Sequence, residues 1–298
     1  MVRCICALVL LAATLCCQAP EGAQTPADKP GAPLGAKPLP KLWPWIEVAG
    51  TVPGSLESAV DGLVLWRQIT DTAIISVGPN DTASLAAVQK RVSGMKFIPG
   101  VKTSPSLKPR GFDSIEGWRQ IAQAVRTVAE ITGSRTVLLE NETSLEPFIK
   151  GEYPMNWEQL QAGLRQLPRE YTILWYPSVA GGGEVLERYV RLCQAVQAVC
   201  DVQFVDHATL YAPATHTDAG TINAIKRLKE VAHKPPIELV YCYGEHWWPL
   251  EQVPEALRLV HGDAAIIYPG AKRWVEAAKV LVKLLPPQGR ATSAPAGR

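Results

Sequence analysis

Two kinds of apolar pattern alternate along the chain from Trp45 onward. Short runs rich in β-branched residues contain few polar positions, which is typical of strands that are covered on both faces. The longer stretches between them repeat apolar residues every three or four positions, as an amphipathic helix does. The short runs are Trp45–Gly50, Thr72–Gly78, Met95–Lys102, Arg135–Glu142, Thr172–Pro177, Asp201–His207, Ile237–Glu245 and Ala264–Pro269.

The number and order of these segments predict the fold. The clearest helical stretch extends from Ile115 to Ile131, with Trp118, Ile121 and Val125 on one face. Eight strand and helix units in about 240 residues, with no internal linker, predict an α/β protein with a single eight-fold β/α (TIM) barrel. An open doubly wound sheet is the alternative, but no glycine-rich phosphate loop follows the first run. The other helices are predicted at Leu56–Trp66, Ser84–Val92, Trp157–Leu167, Glu184–Val199, Ile222–Val231, Val253–Val260 and Trp274–Leu284.

The two ends of the chain differ from this pattern. Arg3 precedes an apolar stretch that is too short to span a bilayer, so residues 1–17 are predicted to be a signal peptide, with a lipoprotein signal as the alternative. Residues 18–44 contain seven prolines and predict a disordered tether. The barrel is expected over residues 45–285, and a disordered tail over 286–298. We therefore expect an exported protein that is secreted, periplasmic or lipid-anchored at the cell envelope.

Charge and cysteine content narrow the classes of function. The formal net charge is +2 without a basic run, so we expect no nucleic-acid partner and no membrane contact beyond an N-terminal lipid anchor. Beyond the export segment only Cys193, Cys200 and Cys242 remain, which is no disulfide framework, and we expect all three to be small buried hydrophobes. The sequence indicates no cofactor and leaves the oligomeric state unknown.

The carboxyl ends of the predicted strands are the informative positions, because loops converge there on the mouth of a β/α barrel. Acidic and aromatic residues gather at these ends. Side chains two apart on a strand share a face, which groups Glu142 with Glu140 and Leu138. The chemistry-bearing end positions are Lys102, Glu140, Asn141, Glu142, Trp175, Tyr176, Asp206, His207, Tyr243, Glu245, His246, Trp247, Trp248 and Tyr268.

Asn141-Glu142 ends the fourth predicted strand and Glu245 ends the seventh. In this pattern the chain resembles the retaining glycoside hydrolases of clan A, which are β/α barrels. The resemblance implies that Glu142 is the acid/base, that Glu245 is the nucleophile and that Asn141 hydrogen-bonds the sugar 2-hydroxyl. The two carboxyl groups are then expected about 5 Å apart, as the retaining mechanism requires.

The same resemblance implies an oligosaccharide or polysaccharide as substrate. Aromatic rings pack on the apolar face of a pyranose, while polar side chains bond its hydroxyls. Tyr268 stands where the clan usually has Trp, and Tyr211 or Tyr243 would replace the Tyr that supports the nucleophile. The residues expected to bind substrate are Asn141, Lys102, Trp175, Tyr176, His207, Tyr243, His246, Trp247, Trp248 and Tyr268.

Each of these assignments has a structural alternative. Glu142 would be an acid at the start of the next helix, Glu140 would be the inward acid or half of a buried ion pair, and the tryptophans would plug the top of the barrel. His216 lies in the segment 213–220, which is expected to cover the site. His233 and His261 are expected at helix ends on the opposite rim, in structural roles.

Two other classes of function remain open. The first is a barrel that binds a glycan or a partner protein without catalysis. The second is a divalent-metal enzyme, since carboxylates and imidazoles together bind such ions. No paired His spacing on one element supports the metal. Its ligands would come from Glu142, Asp206, His207, Glu245 and His246.

Overall fold

Eight parallel strands close into a barrel in which each strand pairs with the next along the chain and the eighth pairs with the first. This confirms the predicted eight-fold β/α barrel. The computed structural model describes residues 38–48, 54–78, 81–102, 114–140, 157–176, 184–206, 209–242, 246–270 and 273–287. The strands are β1 (Lys41–Val48), β2 (Thr72–Val77), β3 (Lys96–Lys102), β4 (Thr136–Glu140), β5 (Thr172–Tyr176), β6 (Asp201–Asp206), β7 (Ile237–Tyr241) and β8 (Ala264–Tyr268).

Helices surround the barrel in the described part of the chain. Two short 3₁₀ turns, Thr215–Thr217 and Leu250–Gln252, precede the sixth and seventh of them. Within these same residues no helix is long and apolar enough to cross a membrane. The helices are α1 (Ser55–Trp66), α2 (Thr82–Arg91), α3 (Ile115–Thr132), α4 (Trp157–Leu164), α5 (Glu184–Gln197), α6 (Ala219–Val231), α7 (Val253–Leu259) and α8 (Trp274–Leu284).

The first strand begins earlier than the sequence indicates. Its first half, from Lys41 to Pro44, pairs with β8, and its second half, from Trp45 to Val48, pairs with β2. The last four residues of the predicted tether are therefore part of the barrel. The sequence pattern did not predict these residues as strand, because Pro44 has no backbone N–H and so argues against a strand interior. In the structure it stands where the strand changes its partner.

Buried residues form two apolar compartments. The barrel interior is enclosed by the strands, and the outer layer lies between the strands and the helices. Alternation along each strand decides the compartment: Leu138 belongs to the interior, whereas Leu139 belongs to the outer layer. The interior residues are Trp45, Ile74, Ile98, Leu138, Leu174, Val205, Ile237, Leu239, Tyr241 and Ile266.

Cys193, Cys200 and Cys242 are free and buried, as expected. Burial is the main cause that raises the pKa of the Cys193, Cys200 and Cys242 thiols to about 12. A thiol is reactive as its thiolate, so these side chains are inert at neutral pH and serve to fill the outer layer.

Candidate active site

A carboxylate at the end of β1 organises the mouth of the barrel. Glu47 Oε2 forms an ion pair with Lys102 Nζ at 2.8 Å, and Glu47 Oε1 accepts a hydrogen bond from the Tyr268 hydroxyl at 3.2 Å. The Glu47 side chain is 17% exposed and the Lys102 side chain 27%. Both oxygens of Glu47 are therefore occupied by groups from two other strands, which fixes the position of all three side chains.

Strand geometry explains how these residues meet. Glu47 lies two residues beyond Trp45 and Tyr268 two beyond Ile266, so both continue the inward-facing rows of their strands. Beneath them, Trp45 Nε1 donates a hydrogen bond to Ser76 Oγ at 2.7 Å. Gly100, which pairs with Ser76, leaves room for this bond, because a Cβ atom at Gly100 would collide with the Ser76 hydroxyl.

Five aromatic rings form a continuous series from the interior to the rim, here called the aromatic wall. The ring centroids of Trp45 and Tyr268 are 4.8 Å apart, and those of Tyr268 and Tyr241 are 5.5 Å apart. Tyr211 meets Tyr241 edge-on at 4.7 Å and Trp247 at 5.9 Å. Tyr211 is 37% exposed, so the wall begins in the core and ends in solvent.

Of the predicted site residues, four are found at the mouth. Lys102 and Tyr268 belong to the Glu47 network, and Trp247 belongs to the aromatic wall. His246 is exposed, with its ring centroid 6.2 Å from that of Trp247. These residues bring together a cation, a phenol, an imidazole and an indole, which can bond and stack on a polar ligand.

Two residues that were expected to contact substrate do not lie at the mouth of the barrel, and this corrects the expectation. Trp175 and Trp248 are 1% and 3% exposed, and both belong to the outer layer. Alternation on β5 is the reason for Trp175, because its neighbour Leu174 occupies the interior. Neither indole leaves a face for a ligand at the mouth.

Asp206 also turns away from the mouth. It is 1% exposed and accepts hydrogen bonds from the backbone N–H and the hydroxyl of Thr209, at 3.1 and 2.8 Å. Val205 fills the interior, so Asp206 faces outward and holds the turn after β6. Asp206 therefore cannot be one of the ligands of the divalent-metal site considered from the sequence. Within the described ranges no three His, Cys, Asp or Glu side chains could hold a metal ion.

The remaining predicted residues lie outside the described part of the chain. Asn141, Glu142, His207, Tyr243 and Glu245 belong to this group, so their assignments stay predictions. Glu140 and Tyr176 are described only as strand ends, which pair with each other in the register of β4 and β5.

Glu47 and Tyr241 are the residues that the sequence reading missed. The signal for Glu47 was present, since an acid stands two residues after Trp45 in an otherwise apolar run. For Tyr241 the signal was its grouping with Leu239 on one strand face. The sequence does not show whether that face of the strand points into the barrel or toward the helices.

Comparisons with known proteins found similar solved structures but no matching family. No family model and no curated protein matches the chain. Among solved structures, a GH18 chitinase from Pseudoalteromonas aurantia is 12% identical with a TM-score of 0.47, covering 80% of this chain and 99% of its own. The spore cortex-lytic enzyme SleL from Bacillus cereus is 11% identical with a TM-score of 0.47, covering 81% and 75%.

A third similar structure is neither a chitinase nor a cortex-lytic enzyme. Tryptophan synthase from M. tuberculosis is 13% identical with a TM-score of 0.42, covering 82% of this chain and 92% of its own. The similar structures thus have names of different kinds. The similarity therefore assigns no reaction to this chain.

Proposed function

We propose that this protein is an exported glycoside hydrolase that cleaves its substrate with retention of configuration. Glu142 is the acid/base and Glu245 the nucleophile. The observation that carries the proposal is the strand count, since Thr136–Glu140 is the fourth strand of a closed barrel and Ile237–Tyr241 the seventh. Glu142 follows the end of β4 by two residues, and Glu245 follows the end of β7 by four.

The chemistry of the mouth supports a carbohydrate substrate. The aromatic wall offers ring faces and edges to the apolar face of a pyranose, and Tyr211 and Trp247 reach the rim. Lys102 and the Tyr268 hydroxyl, held by Glu47, provide polar groups close to these rings. A sugar needs this combination, because each ring has one apolar face and an edge of hydroxyl groups.

The proposed reaction has two displacements. Glu142 gives a proton to the glycosidic oxygen while the Glu245 carboxylate attacks the anomeric carbon, so the leaving group departs and a glycosyl ester forms. Water, activated by Glu142, then attacks that ester and releases the sugar and free Glu245. Such an exchange requires carboxyl groups about 5 Å apart.

A screen of aryl glycosides and polysaccharides tests this proposal. We expect Glu142→Gln to lower kcat by about 10²- to 10⁴-fold, the usual contribution of a general acid, and Glu245→Gln to abolish turnover. Glu251→Gln is the matched control, since Glu251 is an exposed acid on the 3₁₀ turn Leu250–Gln252. Full activity in either of the first two variants would exclude the assigned roles.

Azide separates the two roles from a merely structural loss. With an activated aryl glycoside, Glu142→Ala should regain turnover in azide and form a glycosyl azide of retained configuration. Glu245→Ala should form the azide of inverted configuration, because azide then replaces the missing nucleophile. Rescue with the opposite stereochemistry would exchange the assignments.

A barrel that binds glycan without cleaving it is the second candidate. One observation favours it: at the described mouth, Glu47 and Lys102 neutralise each other and hold Tyr268, as in a fixed binding surface. Saturable binding of an oligosaccharide that depends on Trp247, with no hydrolysis of any substrate in the screen, would support this candidate over the enzyme.

A further inference from the structure

A groove lies on the outside of the barrel along α6, next to His261, which follows α7. Two adjoining cavities of about 420 and 550 Å³ form the groove, and Lys229 and His261 line both. The volumes are those of ligand sites rather than of packing defects.

A buried carboxylate borders the first cavity. Glu238 is 2% exposed, and its Oε1 lies 3.2 Å from both the backbone nitrogen and Nδ1 of His261. Glu238 Oε2 has no hydrogen-bond partner. Gly262 borders this oxygen, because a Cβ atom there would lie 3.5 Å from Oε2. A buried acceptor of this kind is costly unless a donor reaches it.

A second polar atom without a partner borders the other cavity. His216 Nδ1 is buried and has no hydrogen-bond partner. Its ring centroid lies 6.0 Å from that of Trp248, a residue of the outer layer. His216 therefore lines this groove, which differs from the expectation that its segment covers the mouth of the barrel.

The charges that face the groove are mainly positive. Lys226 and Lys229 lie on one face of α6, and no ion pair is found for either within the described residues. Glu230 also lines the groove but is bonded to Arg227. Ile222, which is 49% exposed, adds an apolar surface between these groups.

We propose that the groove binds an acidic oligosaccharide of the uronate type. Carboxylates of the glycan pair with Lys226 and Lys229. The side chains of Glu238 and His216 turn toward the ligand, whose hydroxyl groups supply the partners of Oε2 and Nδ1. A hydroxyl can donate to a carboxylate and can either donate to or accept from an imidazole, so one ligand class satisfies both atoms. The site is separate from the mouth and does not depend on hydrolysis there.

Calorimetric titration of the full chain with a short oligogalacturonate tests the proposal. We expect saturable binding that weakens with added salt, because the lysines are exposed. Lys226→Gln with Lys229→Gln should lower the affinity at least tenfold. Lys279→Gln with Lys283→Gln is the matched control, since these exposed lysines lie on α8, and its affinity should stay unchanged.

Three further titrations distinguish the classes of ligand. A cello-oligosaccharide of the same length should bind at least tenfold more weakly, and so should a poly-glutamate peptide, which lacks the hydroxyl groups. Gly262→Ala should lower the affinity for the uronate by filling the space beside Glu238 Oε2, while leaving the fold intact. Equal binding of the neutral sugar or of the peptide would overturn the proposal.

The double variant Glu142→Gln/Glu245→Gln separates this inference from the proposed function. It should bind the uronate as the unmodified chain does, whatever its activity. Loss of groove binding in this variant would mean that the titration reports the mouth of the barrel, and the groove proposal would fail.

Discussion

The outer layer and the barrel interior use tryptophan in different ways. In the outer layer Trp118 and Trp274 pack directly against helix glycines, where a Cβ atom at Gly163 or Gly62 would collide with the indole. In the interior, Trp45 donates a hydrogen bond to Ser76, as Trp274 does to Ser58 in the outer layer, but Trp45 also joins the aromatic wall. An indole thus packs against a glycine where two helices meet, and stacks with other aromatic rings in the barrel interior.

Trp247 and Trp248 bring this comparison to two adjacent positions. Trp248 belongs to the outer layer, while Trp247 packs on the barrel interior and reaches the rim. Consecutive residues therefore have opposite expected roles, the first in binding and the second in stability. Substitution of each tryptophan should separate these two roles.

Trp248→Ala should cost about 3 to 5 kcal/mol of the free energy of unfolding, because a buried indole leaves both lost contacts and a cavity. Trp247→Ala should cost about 1 kcal/mol, since part of that side chain is already exposed. Equilibrium unfolding in urea measures both. Equal losses in the two variants would contradict the division of the pair.

Gly163→Ala should destabilise the protein by about 1 to 3 kcal/mol, the usual range for overpacking a core. Alanine is the better helix former by about 1 kcal/mol, so the clash with Trp118 must exceed this gain. Gly62→Ala should cost less, because its Cβ would lie 2.7 Å from Trp274 Cδ1, a milder overlap. Thermal unfolding of both variants shows which of them loses more stability. A stabilised Gly163→Ala variant would show that the outer layer is loosely packed.

Alkaline pH should destabilise the outer layer through its thiols. Burial raises the pKa of Cys242 to about 12, whereas the unfolded thiol ionises near its ordinary value. The folded state therefore keeps a proton that the unfolded state loses, and stability that is complete below about pH 9 falls as pH rises toward 12. The loss approaches about 1.4 kcal/mol per pH unit for this thiol.

Comparison with Cys242→Ala isolates the contribution of this thiol to the pH dependence, because the variant keeps every other titrating group. Between pH 9 and 10 the free energy of unfolding should fall by about 1 kcal/mol more in the unmodified chain than in the variant. Parallel pH profiles would show that the thiol is open to solvent.

The sequence was sufficient for the barrel and insufficient for the direction of individual side chains. Strand runs and helical stretches follow from burial, which the apolar pattern shows. The strand positions agree apart from the start of β1 and the end of β7, which lies at Tyr241 and not at Glu245 as predicted. Which face of β5 or β7 turns inward depends on closure of the barrel, a long-range property. Trp175 was therefore expected at the mouth but fills the outer layer, and Glu47 was overlooked.

The polar network at the mouth should contribute least to stability, which sharpens the contrast with the outer layer. Glu47 and Lys102 are partly exposed, so solvent screens their attraction, and we expect a coupling energy of about 1 kcal/mol. Glu47→Gln, Lys102→Met and the double variant, unfolded in urea, give this value as a double-mutant cycle. Each single variant leaves one charge without its partner, so the double variant should lose less than the sum of the two. A coupling of several kcal/mol would mean that the mouth is as dry as the outer layer, and the Glu47 network would then be a structural plug rather than the floor of a binding site.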